Sequence, residues 1–178
     1  MRQGVILYGA PATGKDTITA EMVGRYPRFA HFKRLKCGPG RMSGYRTISP
    51  DQADKLRHEP GAILWENTRY GATYFVDCFG LEQLWELGRV PVVHLGQIEA
   101  IEAIADGTEA NWTVVELYAQ PAVLARRIRS RGTGDEDQRF AAVEQTLRLP
   151  VADVRIDTGV VSVSEAANAI ERCMQDRL

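Results

Sequence analysis

No stretch of this sequence approaches the roughly 18 uninterrupted apolar residues of a membrane-spanning helix. Its start, Met1-Arg2-Gln3-Gly4, runs straight into a short apolar strand candidate. It lacks the apolar core of about 7 to 15 residues and the small-residue cleavage site of a secretory signal. Cysteine is scarce. Cys37, Cys78 and Cys173 are odd in number and far apart, which excludes both a disulfide framework and a zinc-ligand spacing. These absences predict a reduced, cytoplasmic protein with no membrane partner. Internal repeats and low-complexity tracts are also missing. The most local absence is of negative charge: from Met22 to Pro50 there is no Asp or Glu.

That same stretch carries Arg25, Arg28, Lys33, Arg34, Lys36, Arg41 and Arg46, although the net charge of the chain is -1. A second basic block, Arg126, Arg127, Arg129 and Arg131, precedes Asp135, Glu136 and Asp137. Arginines outnumber lysines 18 to 4, and a guanidinium fork suits bidentate phosphate binding. Two separated basic clusters in a near-neutral chain predict local anion sites more than a nucleic-acid face. Tyr26, Phe29 and Phe32 are too few to form the interleaved stacking surface of a single-strand binder.

At 178 residues the chain buries roughly 70% of its unfolded surface, enough for a core without covalent staples. Val5–Tyr8 reads as a buried strand. A helix is predicted from Gly14 to about Val23, with Ile18, Met22 and Val23 on one side and Gly24 as its stop. Phe29–Leu35 reads as a short strand, residues 50–57 as a helix, and Ala62–Trp65 and Ala72–Val76 as strands flanking "ENTRYG". Further helices are predicted at Leu81–Leu87, Ile98–Ala105, from Pro121, and at Glu136–Arg148. Strands are predicted at Val90–Leu95, Trp112–Tyr118 and Val154–Ile156, and Ser162-x-x-Glu165 is a capping box for a last helix. Strands alternating with helices predict an α/β fold, a parallel sheet with helices on both faces. The loops at residues 9–14, 96–97, 119–120 and 157–159 then ring one crevice at the carboxyl ends of the strands.

The segment "GAPATGKDT" fits the first of those loops. Gly9 and Gly14, with Ala10, Pro11, Ala12 and Thr13 between them, let the backbone N–H groups turn inward toward a polyphosphate, and Lys15 reaches its outer phosphates. Thr17 offers a hydroxyl within the first helical turn. Asp16 stands where the usual signature has Ser or Thr. Beside a triphosphate its carboxylate repels unless a cation lies between, so it either faces a magnesium ion accompanying ATP or serves only as an acidic residue at the helix N-terminus.

With this loop, "GYRTISPDQADKL", "AILWENTRYGATY" and "VVELYAQPAVLARRIRSRGTGDEDQRF" follow in order, and the chain resembles the guanylate kinase branch of the nucleoside monophosphate kinases over nearly its whole length. The resemblance implies one P-loop kinase domain, 1–178. Its core is 1–30 and 80–178, with a short lid at about 129–139 and an acceptor-binding insertion at about 31–79. It implies transfer of the γ-phosphoryl group of ATP, with magnesium, to a small phosphorylated acceptor such as GMP. Lys15, Arg131 and Arg139 are then catalytic. Lys33, Arg34, Lys36 and Arg41 form an acceptor cluster, and Tyr45 and Tyr70 touch the acceptor phosphate. Glu66 is the nearest carboxylate to the position that reads guanine in the family, though displaced from it. The third strand ends "VVHLGQIEA", with His94 where the family has acids, and Asp16 is the candidate replacement. Gly-Lys-Asp and the altered flap also resemble the ribose 1,5-bisphosphate phosphokinases, whose acceptor is a sugar phosphate. A third alternative is a guanylate-kinase-like binding module without catalysis.

Overall fold

The structure, a computed structural model, describes residues 1–177. The apolar run at residues 5–8 is the middle of a longer strand, β1 (Arg2–Tyr8). Its side chains alternate between two cores, Val5 and Leu7 on one face and Ile6 and Tyr8 on the other, all almost fully buried. β1 lies at the centre of a five-stranded sheet with β2 (Phe29–His31), β7 (Val90–Leu95), β8 (Ala110–Tyr118) and β9 (Val154–Asp157), in the order β2-β7-β1-β8-β9. Every pairing in it is parallel. α1 (Lys15–Arg25) and α7 (Val163–Gln175) cover one face through Ile18, Met22, Ala167 and Ile170. α3 (Cys78–Glu86) and α4 (Ile98–Asp106) cover the other through Leu81, Ala100 and Ile104. Double coverage is why the inner strands read as unbroken apolar runs.

A second, four-stranded sheet holds β3 (Leu35–Cys37), β4 (Arg46–Thr47), β5 (Ile63–Arg69) and β6 (Ala72–Asp77) in the order β4-β3-β6-β5. Against it packs α2 (Pro50–His58), whose Ala53 and Leu56 meet Leu35, Phe75 and Ile63. α5 (Pro121–Arg131) and α6 (Glu136–Gln145) complete the chain, joined by a loop with Gly132 and Gly134 at positive φ. This is an α/β fold whose large sheet is parallel and covered by helices on both faces, as the alternation of strands and helices predicts. Among the described residues, no helix is long and apolar enough to cross a membrane.

Several predicted elements differ in extent. Phe29–Leu35 is two strands, because the chain leaves the large sheet after His31 and joins the small one at Leu35. Gly24 does not stop α1. The helix runs to Arg25, and Val23 lies off its buried stripe of Ile18, Thr19 and Met22. "ENTR" is strand, and only Tyr70-Gly71 turns. With φ of 55° and 71° these two residues form a primed hairpin turn, the kind that matches strand twist. α3 starts earlier than predicted, because the Asp77 carboxylate accepts from the Gly80 N–H at 2.8 Å and caps it. α6 ends at Gln145 and not Arg148. Beyond it, Arg148 pairs with the buried Glu116 at 2.7 Å, and Leu149 donates its N–H to the same carboxylate. The capping box at Ser162 and Glu165 forms as read.

Candidate functional site

Parallel strands bring their carboxyl ends to one edge, with Tyr8 beside Leu95 and Tyr118 beside Asp157. The loop from Gly9 to Gly14 opens there. Gly9 donates its N–H to Leu95 O at 3.2 Å, and a Cβ on Gly9 would sit 2.3 Å from Leu117 O, so no larger residue fits. Gly14, at φ 93°, is the N-cap of α1 and makes no side-chain cap hydrogen bond. The first-turn amides of α1 are therefore available to an anion. Ala12 holds a left-handed φ of 64°, a strained conformation for a residue with a Cβ. Its methyl packs with Ala10 against Leu124, Ile128 and Phe140, which seats the loop on α5 and α6. Arg127 fastens the same loop, donating to Ala12 O at 3.2 Å and to Thr158 O at 2.6 Å.

Lys15 folds back over the loop, its Nζ donating to Gly9 O at 2.6 Å and Ala10 O at 2.9 Å. Burial, helped by Arg131 and Arg69 nearby, pushes its pKa down to about 8. Arg131 of the α5 terminus thus reaches the same neighbourhood as Lys15. Thr17 is exposed on the first turn. Asp16, beside it, has Oδ1 3.4 Å from His94 Nδ1 and Oδ2 3.6 Å from Arg41 Nη1. The imidazole facing its carboxylate is the main reason the Asp16 pKa lies well below the usual carboxylate range, so the group is ionised.

The basic stretch divides sharply. Arg25 and Arg28 serve structure, pairing with Glu21 and with Glu171, and Arg46 pairs with the buried Asp77. Lys33 is exposed. Arg34, Lys36 and Arg41 turn to the crevice. Arg34 donates to Asn67 Oδ1 and lies over the Tyr74 ring, and its Nε is buried without a hydrogen-bond partner. Burial lowers its pKa to about 10. Lys36 is buried between the Tyr45 and Tyr74 rings, with Nζ donating to Arg41 O at 2.8 Å. Tyr45 packs on Tyr74 at 5.2 Å. Across from them, the Arg139 guanidinium lies 5.7 Å over the Tyr70 ring and is held by Asp135 at 2.7 Å.

The structure therefore gathers Lys15, Asp16, Arg131, Arg139, Arg34, Lys36, Arg41, Tyr45 and Tyr70 around one crevice. It does not gather Glu66. Alternation along β5 puts Asn67 on the crevice side and turns Glu66 to α2, where it accepts from Arg57 at 3.0 Å. Sequence reasoning missed Asn67, Arg69 and Tyr74. With the Gln97 amide oxygen turned toward it, Arg69 donates both Nε and Nη2 to that residue at 3.1 Å, linking the flap tip to the loop after β7. Their signal was strand alternation around "ENTRYGATY", legible only once the turn at Tyr70-Gly71 fixes which face is which.

The solved structures with which the chain superposes carry the same architecture. Guanylate kinase from Anaplasma phagocytophilum matches with a TM-score of 0.63 at 13% identity, over 99% of this chain and 86% of that one. The protein designated APE1195 matches with a TM-score of 0.55 at 14% identity, over 98% and 97% of the two chains. No protein-family model and no curated protein matches the sequence. The chain has a guanylate kinase-like fold. At these identities the likeness concerns the fold, and the residues in the crevice must argue the chemistry.

Proposed function

We propose that this protein is an ATP- and magnesium-dependent kinase that phosphorylates a small acceptor already bearing a phosphate. The observation that carries this reading is Arg34, whose buried Nε lacks a partner beside Tyr45, Tyr74 and Arg69, the last of which also neighbours Lys15. An orphaned buried guanidinium donor is costly unless an anion completes it. Two such anion sites, with Arg131 near Lys15 and Arg139 over the Tyr70 ring, suit phosphoryl transfer, in which positioning and charge neutralisation do most of the work.

In this reading the loop Gly9–Gly14, Lys15 and Thr17 hold the phosphates of ATP, and Arg34, Lys36, Arg41, Tyr45 and Tyr70 hold the acceptor phosphate. An oxygen of that phosphate attacks the γ-phosphorus, the bond to the bridging oxygen breaks, and ADP leaves with the electron pair. Lys15, Arg131 and Arg139 neutralise the migrating phosphoryl group. Asp16 fits magnesium: it is ionised, half exposed and next to the phosphate cradle. Among the described residues no group of three or more His, Cys, Asp or Glu could hold a metal alone. A single carboxylate with phosphate oxygens and waters is the usual magnesium set. Bound there, the ion would neutralise phosphate charge as a Lewis acid.

Two acceptor classes compete, a nucleoside monophosphate such as GMP and ribose 1,5-bisphosphate. The turn of Glu66 toward Arg57 removes the carboxylate that would read a base, and Asn67 and Arg69 occupy that face instead. A cation-rich face without a carboxylate favours the sugar bisphosphate. ADP release measured with ATP, magnesium and GMP, dGMP, AMP, UMP or ribose 1,5-bisphosphate tests the proposal. Turnover of ribose 1,5-bisphosphate is expected, and preference for GMP would return the acceptor to the nucleotide class.

A further inference from the structure

The end of β7 raises a separate question. His94 is wedged against α1, with Nε2 2.7 Å from the Thr19 hydroxyl and Nδ1 3.4 Å from Asp16 Oδ1. Asp16 and Thr19 are one helical turn apart, so the ring spans the first turn of α1 along one face. On its far side the ring stacks on His31 of β2, centroids 4.6 Å apart and planes 28° from parallel. Its side chain is 15% exposed, against 54% for Asp16. An ionised carboxylate can only accept, so attraction requires the proton on Nδ1, and Nε2 then accepts from Thr19. Stacking and the hydroxyl contact therefore hold the ring plane, and the Asp16 carboxylate sets its tautomer.

We propose that His94, at the end of β7, is the positioning residue that aims Asp16 at the magnesium–nucleotide complex. This rests on the kinase reading for its ligand but not on which acceptor is used. One oxygen of Asp16 is oriented by the core through His94. The other faces Arg41, a 63% exposed side chain from the acceptor loop that can yield to a cation. Apo contacts of this kind are commonly long and shorten in the loaded complex. Partners that orient a ligating group are typically worth 10- to 100-fold in metal affinity.

The test is Mn2+ binding to the protein–ADP complex, followed by the paramagnetic resonance of free Mn2+. His94→Leu and His94→Gln should weaken Mn2+ by about 10- to 100-fold, while His94→Asn, which keeps a donor at the Nδ1 position, should stay within about threefold. In an Asp16→Asn background, His94→Leu should change Mn2+ affinity by less than about twofold, because the group it orients is gone. Equal effects in both backgrounds, or no effect in the Asp16 protein, would overturn the proposal. Should His94→Leu not fold, equal Mn2+ affinity of the Gln and Asn variants would overturn it as well. Turnover does not enter this measurement, so a protein that binds Mn2+ and ADP as described but phosphorylates no acceptor refutes the kinase reading alone.

Discussion

In the proposed kinase, Lys15 is the single side chain that couples fold to ligand. Its ammonium is held by two backbone carbonyls, and burial brings its pKa to about 8. Phosphate oxygens favour the charged form, so nucleotide bound as proposed would raise that pKa again and take up a proton. Affinity is then full below about pH 8 and declines as the pH rises above it. Calorimetry of ADP binding just above that pH, in buffers of different ionisation enthalpy, should show proton uptake, and Lys15→Met should abolish it. Lys15→Ala should cut turnover by at least about 10²-fold, the scale of losing one transition-state donor. Lys15, Gly9 and Gly14 were legible in the sequence because their geometry is local, a strand end running into a helix start. Arg34, just before β3, meets Asn67 and Arg69 of β5 only in the fold, and a one-residue step along β5 decided that Asn67 and not Glu66 meets the crevice. Seven cations in an acid-free stretch looked like one cluster, yet Arg25, Arg28 and Arg46 are spent on Glu21, Glu171 and Asp77, partners distant enough or ambiguous enough to be invisible in sequence.

Among the elements, the joint between the small sheet and the core rests on Asp77. Its carboxylate, 3% exposed, ends β6, caps α3 at Gly80 and pairs with Arg46 of β4. Asp77→Ala removes the cap, worth about 1 kcal/mol, and strands a partly buried guanidinium, for a combined loss of about 2 to 4 kcal/mol. A lower urea midpoint at unchanged m-value checks this. Arg46→Ala should cost a similar amount, and the double variant less than the sum. Unbroken apolar runs identified the core strands and helical periodicity the helices. Boundaries set by one side chain were not legible, such as the α3 start at Asp77 and the α6 end where Arg148 and Leu149 turn to Glu116.

Over the whole molecule, α6 approaches the β5–β6 turn through Arg139 and Tyr70, while the loop from Gly9 to Gly14 leans on α5 through Ala10 and Ala12. Nucleotide and acceptor bound together should therefore protect the amides of residues 132–136 from hydrogen exchange more than either alone. Under the proposed function, crevice cations drawn from β3, β5, α1, α5 and α6 also predict weaker acceptor binding as salt rises. The central claim is that this crevice transfers phosphate. The most direct measurement is steady-state ADP release from ATP and magnesium across the five acceptors, with Lys15→Ala and Arg34→Ala in parallel. The account predicts acceptor-dependent turnover, strongest with ribose 1,5-bisphosphate, lost on changing Lys15 and lowered by at least about 10-fold through acceptor binding on changing Arg34. Tight nucleotide binding without turnover of any acceptor would contradict it and leave a guanylate-kinase-like binding module.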